Sequence, residues 1–226
     1  MRNAIDIGND FIITTDNSGG IGEKPGDVIS VSDHMTAFFA ARVTLLEQWA
    51  ANAEPVTILI HNFSGSESWE KYVQGVEDLF QEAGLEIPTI TGSSETNMDL
   101  TQSAVAVTMI GKKNPALLHE DVQWFTYGTP LVGNEVTEHA NKIANLRKIR
   151  EAMDIGIVKR LWPVGSRGIL AEAREMTRND KLSVESVVDV VKSAGPATVV
   201  IVGIPTSKIN NAYSHFGGLL NELYME

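Results

Sequence analysis

The segment from Asp33 to Asn52 most constrains how this chain can fold. Ser32 or Asp33 can cap its start and Pro55 lies just past its end, which bounds it as one helix. Phe38, Phe39, Val43, Leu45, Leu46, Trp49 and Ala50 make it apolar on most sides. Such a helix is buried between layers, so the rest of the chain has to supply them. Glu47 sits inside that apolar pattern and needs a partner, because an uncompensated buried charge is costly.

The flanking segments read as the layers. Phe11 to Thr15 has the character of a buried strand, running into a glycine-rich loop, Asp16-Asn17-Ser18-Gly19-Gly20-Ile21-Gly22. Pro25-Gly26 marks a turn, and Asp27 to Val31 alternates as a strand does. Val56 to Phe63 is β-rich. From Glu67 to Ala83, Trp69, Tyr72, Val73, Val76, Leu79 and Phe80 recur at helical spacing, and Gly84 ends the helix. A short strand, Ile87 to Ile90, leads to Thr91-Gly92-Ser93-Ser94-Glu95-Thr96-Asn97, and an alternating run, Ala104 to Ile110, follows. The order is that of an α+β or α/β fold with helices on one face of a sheet.

Gly111 to Pro115 is polar and turn-rich and predicts a boundary, dividing the chain into 1–112 and 113–226. Beyond it the pattern predicts strands at 122–127, 184–191 and 199–202. It predicts helices over 135–153, from 163–168 to about Arg178, and over 206–216. This makes a smaller α+β domain. The whole is read as α+β.

The formal net charge of −11 disfavours a general nucleic-acid or anionic-membrane binder. No apolar run is long enough to span a bilayer, and the early acidic N-terminus lacks a signal peptide's apolar core. The absence of cysteine excludes disulfides, thiolate metal sites and cysteine nucleophiles, and it is compatible with a reducing cytoplasm. The expectation is a cytoplasmic protein with no nucleic-acid or membrane partner.

Asp16, Glu47 and Glu95 stand out among the acids, each away from an obviously solvated face. Three carboxylates from separate segments suit a hard cation whose shell phosphate oxygens complete. Gly92 and the hydroxyls around Glu95 suit an anion approached by backbone N–H groups, although Ser and Thr also favour plain turns and caps. The five histidines show no metal-ligand spacing. No Gly-Lys-Ser/Thr follows Gly19, Gly20 and Gly22, so they make no Walker loop, and Ser18 has no visible histidine partner.

Thr14-Thr15-Asp16, Glu47 before Ala53-Glu54-Pro55, and the 91–97 stretch resemble the N-terminal domain of the aminoimidazole ribonucleotide synthetase-related, or PurM-like, superfamily. That superfamily includes thiamine-monophosphate kinase, selenophosphate synthetase and a hydrogenase maturation factor. The likeness covers residues 10–111 well and 112–226 more loosely. The 16–22 and 91–97 stretches, Pro163 to Ile169 and Ser193 to Ala197 are most similar to the α-ribazole kinase type of branch.

The resemblance implies an ATP-dependent enzyme with Mg²⁺ and ATP on its N-terminal domain. It implies a homodimer formed through the N-terminal sheet, and a second domain that closes over a small-molecule phosphate acceptor. It places Asp16, Glu47 and Glu95 at the metal and phosphate site, Asp16 and Glu95 being the expected catalytic carboxylates. Apart from the resemblance, Arg167 or Lys24 is the expected source of positive charge near the transferring phosphates. Asn17, Ser18, Gly19, Gly20, Gly92, Ser93, Ser94, Thr96 and Asn97 would meet the nucleotide. The reading is therefore a kinase, with α-ribazole a candidate acceptor. The alternatives are a synthetase of the aminoimidazole ribonucleotide or thiamine-monophosphate kinase type, or a nucleotide-binding protein without turnover. Several positions depart from the pattern. Only Asp10 remains of the paired acids before the first strand, Glu47 stands for Asp, Asn52 for Gly, and Ser166-Arg167-Gly168 for an Asp-Gly loop. The N-terminal tail is too short for the glycine-rich lid of a selenophosphate synthetase.

Overall fold

A computed structural model describes residues 3–115 and 120–226. The chain divides into two compact units, Met1–Asn114 and Pro115–Glu226.

The N-terminal unit runs β1 (Ala4–Gly8), β2 (Phe11–Gly19), β3 (Ile21–Gly22), β4 (Ile29–Ser30), α1 (Asp33–Ala50), β5 (Ala53–Asn62), α2 (Trp69–Ala83), β6 (Thr89–Ser94) and β7 (Ala104–Lys113). Five strands form one sheet in the order β1-β2-β7-β5-β6. All neighbours are antiparallel except β5 and β6, which are parallel because α2 carries the chain back between them.

Strand alternation decides which residues meet the helices. Ile12 and Thr14 of β2, Ile58, Ile60 and Asn62 of β5, and Val105, Val107 and Met109 of β7 are buried. Their neighbours on the other face, among them Ile13, Leu59, Thr108 and Ile110, are only half-buried, and Ile5 is exposed.

α1 is the hub of this unit. The Ser32 side chain caps it by accepting from the Met35 N–H at 3.2 Å. The helix turns off at Asn52, whose φ of 56° is left-handed, a conformation asparagine tolerates better than most side chains. That is why Asn52 can stand where the related pattern has glycine. Gln48 ties the helix to the sheet. Its Nε2 lies 3.2 Å from the Ile12 carbonyl, 3.1 Å from the Thr14 hydroxyl and 3.0 Å from the Met109 carbonyl. The Thr14 hydroxyl in turn donates to the Thr44 carbonyl at 3.0 Å. α2 lies against α1 at Gly75, where a Cβ would overlap the His34 carbonyl.

The C-terminal unit contains β8 (Val122–Gly128), α3 (Glu135–Glu138), α4 (Leu146–Asp154), β9 (Arg160–Pro163), α5 (Gly168–Thr177), β10 (Val184–Glu185), β11 (Val199–Pro205), α6 (Ile209–Phe216), β12 (Leu220–Glu222) and β13 (Tyr224–Met225). Its four-stranded sheet has the order β12-β8-β11-β9 and is antiparallel throughout. Val199 and Ile201 of β11 pack with Val164, Ile169 and Ala173 in one core cluster. Tyr127 of β8 stacks on Phe216 of α6 with ring centroids 4.4 Å apart.

Both units are α+β, as expected, but several elements differ from the sequence reading. β2 continues through Asp16-Asn17-Ser18-Gly19, and β6 takes in Thr91 to Ser94, so both expected loops are partly strand. The expected helix over 135–153 is broken into α3, a 3-10 turn at Ala140–Lys142, and α4. Asn145 restarts it by accepting from the Lys148 N–H at 2.9 Å. The strand expected over 184–191 is only Val184–Glu185. β1, β9, β12 and β13 were not anticipated, being short and, at β1, interrupted by polar residues.

One consequence is testable. At Gly111 a Cβ would overlap the buried Gln48 Oε1. Gly111→Ala should therefore destabilise the N-terminal unit by about 1–3 kcal/mol through overpacking, measured by chemical denaturation. A Gly19→Ala control, where a Cβ meets nothing within 4 Å, should cost far less.

Candidate functional site

The ends of four strands meet at one edge of the N-terminal sheet. Register puts Ser18, Val105, Asn62 and Ser94 in a single row across β2, β7, β5 and β6. Asp16, Val107, Ile60 and Gly92 form the next row on the same face, two residues inward. The fold thus gathers the ends of both stretches singled out in the sequence onto one border.

Alternation splits the expected nucleotide contacts between the two faces. Asp16, Ser18, Gly92 and Ser94 share the helix-covered face with Thr14 and Asn62. Asn17, Gly19 and Ser93 lie on the open face with Thr15 and His61. Glu95, Thr96 and Asn97 follow the end of β6. Two of the glycines have structural work of their own. A Cβ on Gly92 would overlap the Ile60 carbonyl of the neighbouring strand. Gly20, at φ 71°, donates to the Ser103 carbonyl at 2.8 Å and accepts from the Val28 N–H at 2.7 Å.

Glu95 shapes its own loop. Its Oε1 accepts from the Asn97 N–H at 2.6 Å and the Met98 N–H at 3.2 Å. These backbone donors, Asn97 first, hold its carboxyl below the usual glutamate range, so it is anionic at neutral pH.

The expected metal trio is not assembled. Asp16 on β2 and the β6 end before Glu95 are three strand spacings apart, about 14 Å. Glu47 is buried in α1 and Asp16 half-buried on β2, and both already hold interaction partners. Among the described residues no three His, Cys, Asp or Glu side chains are grouped to hold a metal ion. These residues do not fit a ready-made three-carboxylate Mg²⁺ centre. They are compatible only with the looser mode in which one or two carboxylates share the ion with phosphate oxygens.

A second polar cluster, which the sequence reading missed, braces this border. Asp27 accepts from the Ser103 N–H and hydroxyl, both at 2.7 Å, and from the Lys24 N–H at 2.9 Å. Burial pushes its carboxyl up, but those donors outweigh it and hold it below the usual range. Glu23 and Asp33 cap one another's N–H groups, and Lys71 pairs with Glu23. Tyr72, fully buried, donates to or accepts from Ser64 at 2.6 Å. Desolvation, with the nearby acids adding to it, pushes its phenol up to about 12. The sequence marked the Pro-Gly turn at 25–26, the strand from Asp27 and the cap candidate Asp33, but nothing in it showed that these side chains bond to Ser103, Glu23 and Lys71.

Arg167, in the C-terminal unit, precedes α5 and pairs with Glu175 and with Glu172, the latter at 3.7 Å. Glu172 is fully buried and accepts from the Trp162 indole N–H at 3.0 Å. Arg167 therefore already compensates a buried carboxylate, a role that competes with contacting phosphate.

No protein-family model matches the chain, and no curated protein does. Solved structures do match. A hydrogenase maturation protein HypE in complex with ATP superposes with a TM-score of 0.62 at 12% identity, over 97% of this chain and 78% of that one. Thiamine monophosphate kinase from Aquifex aeolicus gives 0.62 at 12%, over 96% and 85%. T. maritima PurL complexed with ATP gives 0.60 at 14%, over 99% of this chain and 42% of the much longer PurL chain. The fold is thus one shared by proteins of several functions. It is the fold of the PurM-like, aminoimidazole ribonucleotide synthetase-related proteins.

The Arg167 arrangement gives a prediction. Arg167→Ala removes a cation paired with the buried Glu172 and should lower the stability of the C-terminal unit by about 1–3 kcal/mol, since half-exposed pairs contribute less than buried ones. Adding Glu172→Gln in that background should recover part of the loss. Urea unfolding of the wild type and of the single and double variants measures the coupling.

Proposed function

We propose that the chain binds ATP at the polar border of its N-terminal sheet and transfers the γ-phosphate to a hydroxyl of a small-molecule acceptor. The observation that carries this reading is the row of strand ends, which places Ser18, Ser94 and the Glu95–Asn97 loop along one edge of a fold whose relatives include structures complexed with ATP. Phosphoryl transfer depends mostly on positioning and charge neutralisation, so the reading needs no separate general base. Asp16 or Glu95 would hold a Mg²⁺ ion together with phosphate oxygens, and such an ion would neutralise charge on the transferring phosphate. α-Ribazole is the acceptor to test first. A homodimer through the open sheet face belongs to the same proposal, supported by Ile5, Ile7, Ile13 and Ile110 on that face.

A second reading, nucleotide binding without turnover, draws support from the unassembled carboxylates and from Arg167's engagement with Glu172 and Glu175. ATP with and without α-ribazole separates the two, with ADP and phosphorylated acceptor as the readout. The kinase reading expects ADP release that depends on the acceptor. Calorimetry should show Mg-ATP binding to the wild type and at least tenfold weaker binding by Asp16→Asn or Glu95→Gln. Unchanged affinity in both variants removes these carboxylates from the site. Light scattering should give twice the chain mass.

The buried Glu47 has its own test. If it serves the ligand, Glu47→Gln keeps or raises the apo melting temperature and loses the Mg-ATP shift. If it is a structural ion-pair member, the apo protein melts lower and the ATP shift survives.

A further inference from the structure

The row of strand ends contains one residue with a part of its own. Asn62, the last residue of β5, is 1% exposed and lies between Val105 and Ser94. Its amide uses both of its chemical ends. Oδ1 accepts from the Ser64 N–H at 2.8 Å, while Nδ2 donates to the Gly65 carbonyl at 2.7 Å and to the Ser94 hydroxyl at 2.9 Å. Its main-chain carbonyl accepts from the Glu95 N–H at 2.7 Å.

A single side chain thus closes the turn that leads from β5 toward α2 and grips the end of β6. What it grips is the base of the Glu95 loop. Ser94 and Glu95 are fixed from below by Asn62, and Glu95 then fixes Asn97 and Met98 through its carboxylate. Only an amide fits this place. It needs a donor for a carbonyl and a hydroxyl and an acceptor for an N–H at once. Aspartate would set a carboxylate against the Gly65 carbonyl oxygen, and alanine would leave a buried N–H and a buried carbonyl without their partner.

We infer that Asn62 is the positioning residue of the nucleotide site, holding the Ser94–Asn97 loop in the geometry in which it meets a polyphosphate. The inference rests on the proposed ATP reading. Asn62 is buried beneath the loop and acts through Ser94 and Glu95, with no contact to the ligand of its own.

The experiment titrates AMP-PNP with Mg²⁺ by calorimetry into the full chain, well below its melting temperature, for the wild type, Asn62→Ala, Ser94→Ala and the double variant. Ser94→Ala keeps the bonds of Asn62 to Ser64 and Gly65 and should fold with a melting temperature only modestly below the wild type, which keeps the test sound if Asn62→Ala folds poorly. Each single variant should bind about fivefold more weakly, the scale of one lost hydrogen bond. The double variant should be no weaker than the weaker-binding of the two single variants, because both remove the Asn62–Ser94 bond. A properly folded Ser94→Ala with unchanged affinity overturns the inference, and so do losses that multiply in the double variant. A wild type that does not bind AMP-PNP removes the nucleotide reading itself, and this inference with it, and is told apart by the first titration.

Discussion

The contact between Gln48 and the backbone of β2 and β7 holds the N-terminal unit together. One amide reaches carbonyls on two adjacent strands and the Thr14 hydroxyl, and Thr14 answers by bonding back to α1 at Thr44. Buried polar groups cost free energy unless they find partners, and with Gln48 Oε1 itself lacking a hydrogen bond among the described residues the three Nε2 contacts leave this junction little room for displacement of helix against sheet. It fixes which side of β2 faces α1. That choice then sets Asp16 and Ser18 on the helix-covered face and Asn17 and Gly19 on the other. The composition of the candidate site is therefore decided some way from it.

The border itself is built from bonds within the protein. Glu95, Asp27, Glu23 and Asp33 all accept from backbone N–H groups, and Lys71 is engaged with Glu23. The backbone donors offset part of each carboxylate's negative charge, which lowers the cost of crowding acids along one edge. The same economy explains why the acids do not converge on one point. Asp16 and the β6 end lie three strands apart, and that separation comes from the order β2-β7-β5-β6, which sequence order conceals.

Periodicity made the helix α2 and the strands β5 and β7 legible, since each has an apolar face long enough to show a period, whereas α1, apolar on most sides, was bounded by its cap at Ser32 and the proline after it. Composition could not show that Asp16 to Gly19 and Thr91 to Ser94 are strand. Glycine, serine and asparagine signal turns locally, and here pairing with β7 and β5 overrides that preference. The break before Asn145 was hidden because Val136, Ala140 and Ile143 before it and Leu146, Ile149 and Ala152 after it keep a three-to-four-residue apolar spacing. The likeness of short stretches identified the fold, which no apolar pattern could have done. The partners of Arg167 and the role of Asn62 depend on which side chains face one another across sequence gaps, and a single sequence carries no record of that.

Strand order also bears on how the chain comes into being. β7 lies in the middle of its sheet and is the last strand of its unit, so Gly19 waits for Ala104 before the two can pair. While the chain emerges from the ribosome, β1 and β2 on one side and β5 and β6 on the other have no centre to join. The C-terminal unit repeats the pattern, because β11 supplies the strand that both β8 and β9 need. Each half therefore reaches its sheet late, through contacts distant in sequence, which is the topology of slow folding. Until then, the apolar strands of each half are available to neighbouring chains.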